Sequence, residues 1–289
     1  MSTTIDAHHH LWQIRRYDYG WITPETPVLG RDYMPVHLAP ELRAAGVART
    51  VLVQTFHSEA ETRWFLQLAD QHPFIAGVVG WSDLTDPDLG ARLDALAHPK
   101  LVGLRHVVQG EPDVDWLVHP AVIQGLKELE RRGLSFDLLL LPQHLKHVPT
   151  LARALPALRM VIDHLAKPPI REGQLEPWAR DLAAAAEHPN VFCKLSGMVT
   201  EADHAQWTVD DLRPYVAHAL EVFGPARCMY GSDWPVCNLA ASYAQQHAAL
   251  RELVAQWSEA DQAGIFGETA AAFYRLSPQL PMKSRTADE

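Results

Sequence analysis

Ile5-Asp6-Ala7-His8-His9-His10-Leu11-Trp12 opens as a short apolar run and passes straight into three histidines, with no glycine. An open, doubly wound α/β sheet that binds nucleotides carries a Gly-rich phosphate turn after its first strand. Its absence here makes that sheet the runner-up. Similar β-branched or apolar runs follow at 50–54, 74–80, 101–107, 134–141, 160–163, 191–195 and 227–230. Such runs suit parallel strands covered on both faces. Helical spacing of apolar residues separates them at 58–71, 87–97, 121–132, 145–155, 176–187, 209–223 and 242–257, with a last helix expected over 261–274. The first of these opens on Ser58 with Glu61 three residues later, the pattern of a capping box. Eight strands alternating with helices in 289 residues predict one closed (β/α)₈ barrel of the TIM type over residues 1–276. A flexible polar tail is expected over 277–289.

One connection is long. Residues 11–40 carry Trp12, Tyr17, Tyr19, Trp21 and Tyr33 together with four prolines. Long loops of this kind are usually functional or disordered, and the aromatic content argues against disorder. A lid or pocket wall above the first strand is expected, with plain packing over the barrel mouth as the other reading.

The composition is that of a globular chain, 47% hydrophobic and 21% charged. A formal charge of -10 speaks against gripping nucleic acid or an anionic membrane surface. No apolar run approaches the roughly 20 residues of a membrane span. No signal peptide is visible, and three cysteines, Cys193, Cys228 and Cys237, give no disulfide framework. A cytoplasmic monomer or small homo-oligomer is expected.

The polar residues gather at the predicted strand ends, where barrels of this kind carry their active sites. Alternation of side chains along the first strand sends Asp6, His8 and His10 one way and His9 to the helix layer. His8 and His10 then converge, which suits a divalent metal or acid–base chemistry. The last strand runs into Gly231-Ser232-Asp233-Trp234-Pro235, where Asp233 is either a base and ligand or a turn cap. The sixth ends Asp163-His164 with Lys167 beyond, and the fourth ends Arg105-His106. Asp137 lies on the fifth, Lys194 on the seventh, Gln54 ends the second, and Trp81-Ser82-Asp83 ends the third.

Taken together, Asp6-Ala7-His8-His9-His10-Leu11-Trp12, Asp163-His164-Leu165-Ala166-Lys167-Pro168 and Gly231-Ser232-Asp233-Trp234-Pro235 resemble the amidohydrolase superfamily. More narrowly, they are similar to its sugar-acid lactonase branch, of the L-fuconolactonase and L-rhamnonolactonase type. The resemblance implies a hydrolase that opens a sugar-acid lactone ring. It gives catalytic roles to Asp233, His164, His8 and His10, with Asp233 as general base. His8, His10 and Asp233 would hold one divalent metal, zinc by donor type. The fifth strand has no histidine, so a second metal is not expected. Some cousins work without metal, and that reading stays open. Arg105 and His106 would hold hydroxyls or a carboxylate of the substrate. Trp12, Trp21, Trp81 and Trp234 would cover the apolar face of the sugar. The alternative is a decarboxylase, or a pyrone or muconolactone dicarboxylate lactonase, from the same superfamily.

Overall fold

In the computed structural model, which describes residues 3–278, eight parallel strands pair in chain order from first to last. They are β1 (Ile5–His9), β2 (Arg49–Val53), β3 (Ile75–Gly80), β4 (Leu101–His106), β5 (Ser135–Leu138), β6 (Met160–Ile162), β7 (Val191–Leu195) and β8 (Cys228–Tyr230). Valine, isoleucine and leucine dominate because nearly every strand residue is buried. The helices between them are α1 (Pro35–Ala45), α2 (Glu59–Gln71), α3 (Leu89–Ala95), α4 (Pro120–Arg132), α5 (Val148–Ala154), α6 (Trp178–Ala186), a single turn α7 (Met198–Glu201), α8 (Val209–Phe223), α9 (Tyr243–Leu253), α10 (Glu259–Ala263) and α11 (Thr269–Phe273). The molecule is a (β/α)₈ barrel.

Two apolar layers hold it. The larger lies between strands and helices and takes Leu52, Leu104, Phe136, Ile162 and Leu195 from the outward strand faces. The smaller fills the barrel with Ile5, Ala7, Val51, Val53, Val102, Val161 and Met229, and is plugged by Phe273, Tyr274 and Leu276 from the C-terminal segment. First and last strands meet at a short seam. It is closed by His10 N to Trp234 O at 2.7 Å and Asp233 N to His8 O at 2.8 Å. None of the described helices is long and apolar enough to cross a membrane.

Four local readings are corrected. The 11–40 connection ends in α1, which runs from Pro35 through Pro40 to Ala45. Pro35 stands where a first-turn N–H needs no partner, and Pro40 gives up a single helical bond. The capping box at α2 is only half made. Ser58 accepts from the N–H groups of Ala60 and Glu61, but the Glu61 carboxylate turns away, toward the backbone N–H groups of Thr55 and Phe56. The helix expected over 145–155 is a 3₁₀ segment (Pro142–His147) followed by α5. The one expected over 261–274 is broken between α10 and α11 by a wider turn, Gly264–Glu268. There a Cβ on Gly267 would stand 2.1 Å from the Thr3 carbonyl oxygen, so only glycine lets this turn run against the start of β1. Of the tail expected over 277–289, residues 279–289 lie outside the described residues.

Candidate active site

The first strand does not alternate as simple pleating predicts. Its pairing with β2 shifts register between Asp6 and His9. Ala7 belongs to the barrel interior, and the next side chain, His8, also points inward, onto Lys194 Nζ at 3.0 Å. A bulge of this kind re-aims side chains. Asp6 therefore does not share a face with His8 and His10, which corrects the expectation from alternation. It is buried behind them and accepts from Ser232 N at 2.8 Å, His8 N at 3.1 Å and Tyr243 OH at 3.1 Å. Burial pushes its carboxyl up to about 6. His9 faces outward onto Thr50 Oγ1 at 2.9 Å.

The same shift brings His8 and His10 together, Nε2 to Nε2 at 3.1 Å. His10 Nδ1 donates to the Val53 carbonyl at 2.9 Å, which leaves the Nε2 lone pair facing inward. Asp233 Oδ1 lies 3.3 Å from that nitrogen and 3.7 Å from His8 Nε2. Asp233 reaches this place from a left-handed backbone, φ 55°. His164 Nε2 stands 3.8 Å from the same oxygen, and its Nδ1 meets Ser196 Oγ at 2.8 Å. It begins a run of four left-handed residues, His164 to Lys167. Such backbone concentrates at functional sites.

Burial pushes the imidazoles of His8, His10 and His164 down, the last to about 4, so all three are neutral near pH 7. Burial alone would raise the Asp233 carboxyl. His164, His10 and His8 outweigh it and hold the carboxyl well below the usual carboxylate range. These donors fit a divalent ion. Two neutral imidazole nitrogens and a carboxylate oxygen converge from adjacent strand ends. Their separations of 3.1, 3.3 and 3.7 Å match the roughly 3.4 Å edge of a tetrahedron with bonds of about 2.1 Å. A lone pair of His10 and a carboxylate otherwise face one another. A second grouping, His8, Asp163 and His164, is also close. There the Asp163 carboxylate is already engaged by Lys194 at 2.9 Å and Arg105 at 3.1 Å.

Beneath the histidines lies a wholly buried ion cluster. Lys194 Nζ bridges Asp163 and Asp137, the latter at 2.5 Å, and Tyr274 OH donates to Asp137 at 2.7 Å. Arg105 shares Nη1 between Asp163 and His8 Nε2, the latter at 3.3 Å, gives Nη2 to the Gln54 carbonyl, and its buried Nε has no partner. Two cations and two anions balance there, which is the condition for burying them at all. From sequence, Lys194 stood out only as one polar strand end among several. Its signal is a lysine inside an otherwise apolar buried run.

A cavity of about 180 Å³ opens above this cluster. His10, His164, Asp233 and Arg105 form its floor, and Val107, Leu139 and Val236 an apolar side. Trp21, Thr55, Gln109 and Lys167 complete the wall, and of these only Trp21 was singled out as a binding residue from sequence. The other named tryptophans are not on it. Trp12 is buried, its Nε1 donating to Arg31 O at 2.8 Å. Trp234 packs edge-on against Tyr33. Trp81 stacks on His57, whose ring lies against His106, and His106 in turn stacks on Trp116. His106 Nε2 is engaged by Glu111 at 2.6 Å. This ladder of rings stands behind Val107 rather than at the cavity, since Val107 N donates to His57 Nε2 at 3.2 Å. A wider groove on the outer wall, along Pro87, Gly90 and Glu128, has its charges paired off, Arg132 with Asp94 and Glu128.

Residues 5–276 match the amidohydrolase family. An L-fucono-1,5-lactonase of Burkholderia ambifaria is 40% identical over 288 residues, 96% of this chain and 97% of that protein. A crystal structure of an amidohydrolase from Burkholderia multivorans with bound zinc is 36% identical, with a TM-score of 0.93 over 96% of this chain and all of that one. A 5-carboxyvanillate decarboxylase from Sphingomonas paucimobilis, 16% identical with a TM-score of 0.67 over 96% of this chain and all of that one, shares the fold alone. The chain belongs to the amidohydrolase family.

Proposed function

We propose that this protein hydrolyses the lactone ring of a sugar acid, in the class of L-fucono-1,5-lactone. The observation that carries the reading is Asp233, a buried carboxylate held ionised among three neutral imidazoles on the floor of a cavity at the barrel mouth. The likeness to L-fucono-1,5-lactonases over nearly the whole chain supports the substrate class.

Hydrolysis needs a water oxygen to bond to the lactone carbonyl carbon, the ring C–O bond to break, and one proton to move from water to the leaving alkoxide. Asp233 is placed to take that proton and return it to the ring oxygen. His164 can donate from Nε2 to the carbonyl oxygen as charge develops there, when Ser196 Oγ donates to its Nδ1. Arg105 lends positive charge to the same floor, and its guanidinium plane is fixed by Asp163 and Gln54. Trp21 and the apolar side of Val107, Leu139 and Val236 suit the C–H faces and the methyl group of a 6-deoxy sugar. His8, His10 and Asp233 would hold a divalent ion, zinc by donor type. Such an ion supplies Lewis-acid polarisation of the carbonyl or of the attacking water.

The test is acid release from L-fucono-, L-rhamnono- and D-galactono-lactones, followed with a pH indicator. Fast turnover of one or more is expected. A flat panel, with the metal supplied, would reject the reading.

A further inference from the structure

Among the described residues, Glu61 is the one α-helical carboxylate with no exposed surface. Nothing in the proposed chemistry uses it. Burying a charge is costly unless it is fully engaged, so its partners are informative. Both backbone N–H groups of the turn after β2 donate to Oε2, Thr55 N at 2.8 Å and Phe56 N at 3.0 Å. The Thr55 hydroxyl donates to Oε1. The position of Glu61 in the first turn of α2, near the positive end of the helix dipole, supports the charge.

The turn it grips is a wall of the cavity. Thr55 lines it, and Trp21, which also lines it, donates from Nε1 to the Thr55 carbonyl at 3.3 Å. Phe56 stacks on Tyr17 with ring centres 4.9 Å apart and meets Tyr19 at 6.0 Å. Trp21 rests edge-on against Trp12 at 5.3 Å. The Tyr17–Trp21 part of the long connection is thus docked on a two-residue turn, and one side chain accepts from both N–H groups and the hydroxyl of that turn. Trp21 itself is 42% exposed and is held on its covered side by the Thr55 carbonyl and the edges of Trp12 and Tyr19.

We infer that Glu61 is a positioning residue: by gripping the Thr55–Phe56 turn it holds Trp21 over the substrate cavity. The inference rests on the lactonase reading only for what the cavity binds. A positioning role acts on binding and leaves the chemistry at Asp233 alone.

The experiment compares Glu61→Met, Glu61→Gln and Trp21→Phe in the full-length protein. Two readouts are taken, steady-state kinetics on the best lactone and hydrogen exchange by mass spectrometry. Methionine keeps the volume and removes all three bonds. Glutamine can rebuild them, its oxygen accepting both N–H groups and its NH₂ donating to the Thr55 hydroxyl. Glu61→Met is expected to raise KM about tenfold with kcat within threefold, and to speed exchange across 12–34 and 54–58. Glu61→Gln restores both. Trp21→Phe raises KM and speeds exchange across 12–34 without touching Glu61, and it decides the case should Glu61→Met fail to fold. Unchanged KM and unchanged loop exchange in Glu61→Met, with only a lower melting temperature, would overturn the inference. So would a loss confined to kcat. If the wild-type protein opens no lactone, the functional reading fails by itself. The exchange data then decide this one, faster exchange rescued by glutamine supporting it and unchanged exchange overturning it.

Discussion

Asp233 gathers on one oxygen the approach of His10 at 3.3 Å, His8 at 3.7 Å and His164 at 3.8 Å. Replacing it with asparagine keeps the shape and removes the proton acceptor. The general-base role is worth about 10²–10⁴ in rate. Asp233→Asn is accordingly expected to lose at least a hundredfold in kcat with an unchanged far-UV circular dichroism spectrum. Retention of more than a tenth of wild-type kcat would reject the assignment. At this scale the sequence is a good guide where chemistry rather than register matters. His8, His10, His164 and Asp233 can be picked out as candidates because histidines and an aspartate have no packing reason to end buried strands, and the structure brings the four together. Asp6 is misread because alternation assumes a regular strand, and a bulge cannot be seen in residue types. His106, Trp81, Trp12 and Trp234 do not line the cavity, which residue type could not reveal. An aromatic or imidazole ring suits a sugar and a ring ladder equally well, and only its neighbours in the fold tell the two apart.

Among the elements, α2 and α4 show how tertiary contacts override local rules. The Ser58 and Glu61 pair has the right spacing for reciprocal capping, yet the carboxylate serves the preceding turn. Burial then pushes its carboxyl from 4.5 up to about 7. The folded protein binds a proton there between those values and the unfolded chain does not. Stability is therefore full below pH 4.5 and falls as pH rises through 7, by roughly 3 kcal/mol from this group. Glu61→Gln lacks that slope. Urea denaturation at pH 5 and pH 8 should show the wild type losing roughly 2–3 kcal/mol more than the variant across the interval, and parallel losses would refute it. In α4, Gly125→Ala should raise helix propensity by about 1 kcal/mol. A Cβ there would sit 2.1 Å from the Leu84 carbonyl oxygen. Overpacking costs about 1–3 kcal/mol, so net destabilisation is expected in the same titration, and a stabilised variant would contradict the packing. Helix α1 is hidden from sequence by its two prolines, which read as loop until the first-turn position of Pro35 is known.

On the scale of the whole molecule, the candidate metal ligands straddle the place where the chain closes on itself. His8 comes from β1, His10 from just beyond its end and Asp233 from the residue run after β8, so the ends of the first and last strands each supply part of one site. The seam between them is short, held by the His10–Trp234 and Asp233–His8 backbone bonds and by Asp6 accepting from Ser232 N. The other neighbouring strands pair along longer parallel ladders, those of β1–β2, β2–β3 and β3–β4 carrying a register shift. An ion bound across this seam would tie the ends of the barrel together as well as serve the reaction. Binding to the folded state alone stabilises by about 2.7 kcal/mol when free ion stands at 100 times its dissociation constant. For a chain of this length that is a rise of roughly 5 °C or more in melting temperature. Chelation of the purified protein should lower the midpoint by about that amount, and added zinc should restore it. Hydrogen exchange at the amides of His10 and Asp233 should quicken on chelation while that of the β4–β5 ladder stays slow, because the ion acts at the seam. The Asp233→Asn variant should show a much smaller response to zinc. A midpoint indifferent to chelator and zinc, after elemental analysis has shown the metal gone, would mean that the three side chains work as acid–base groups without an ion.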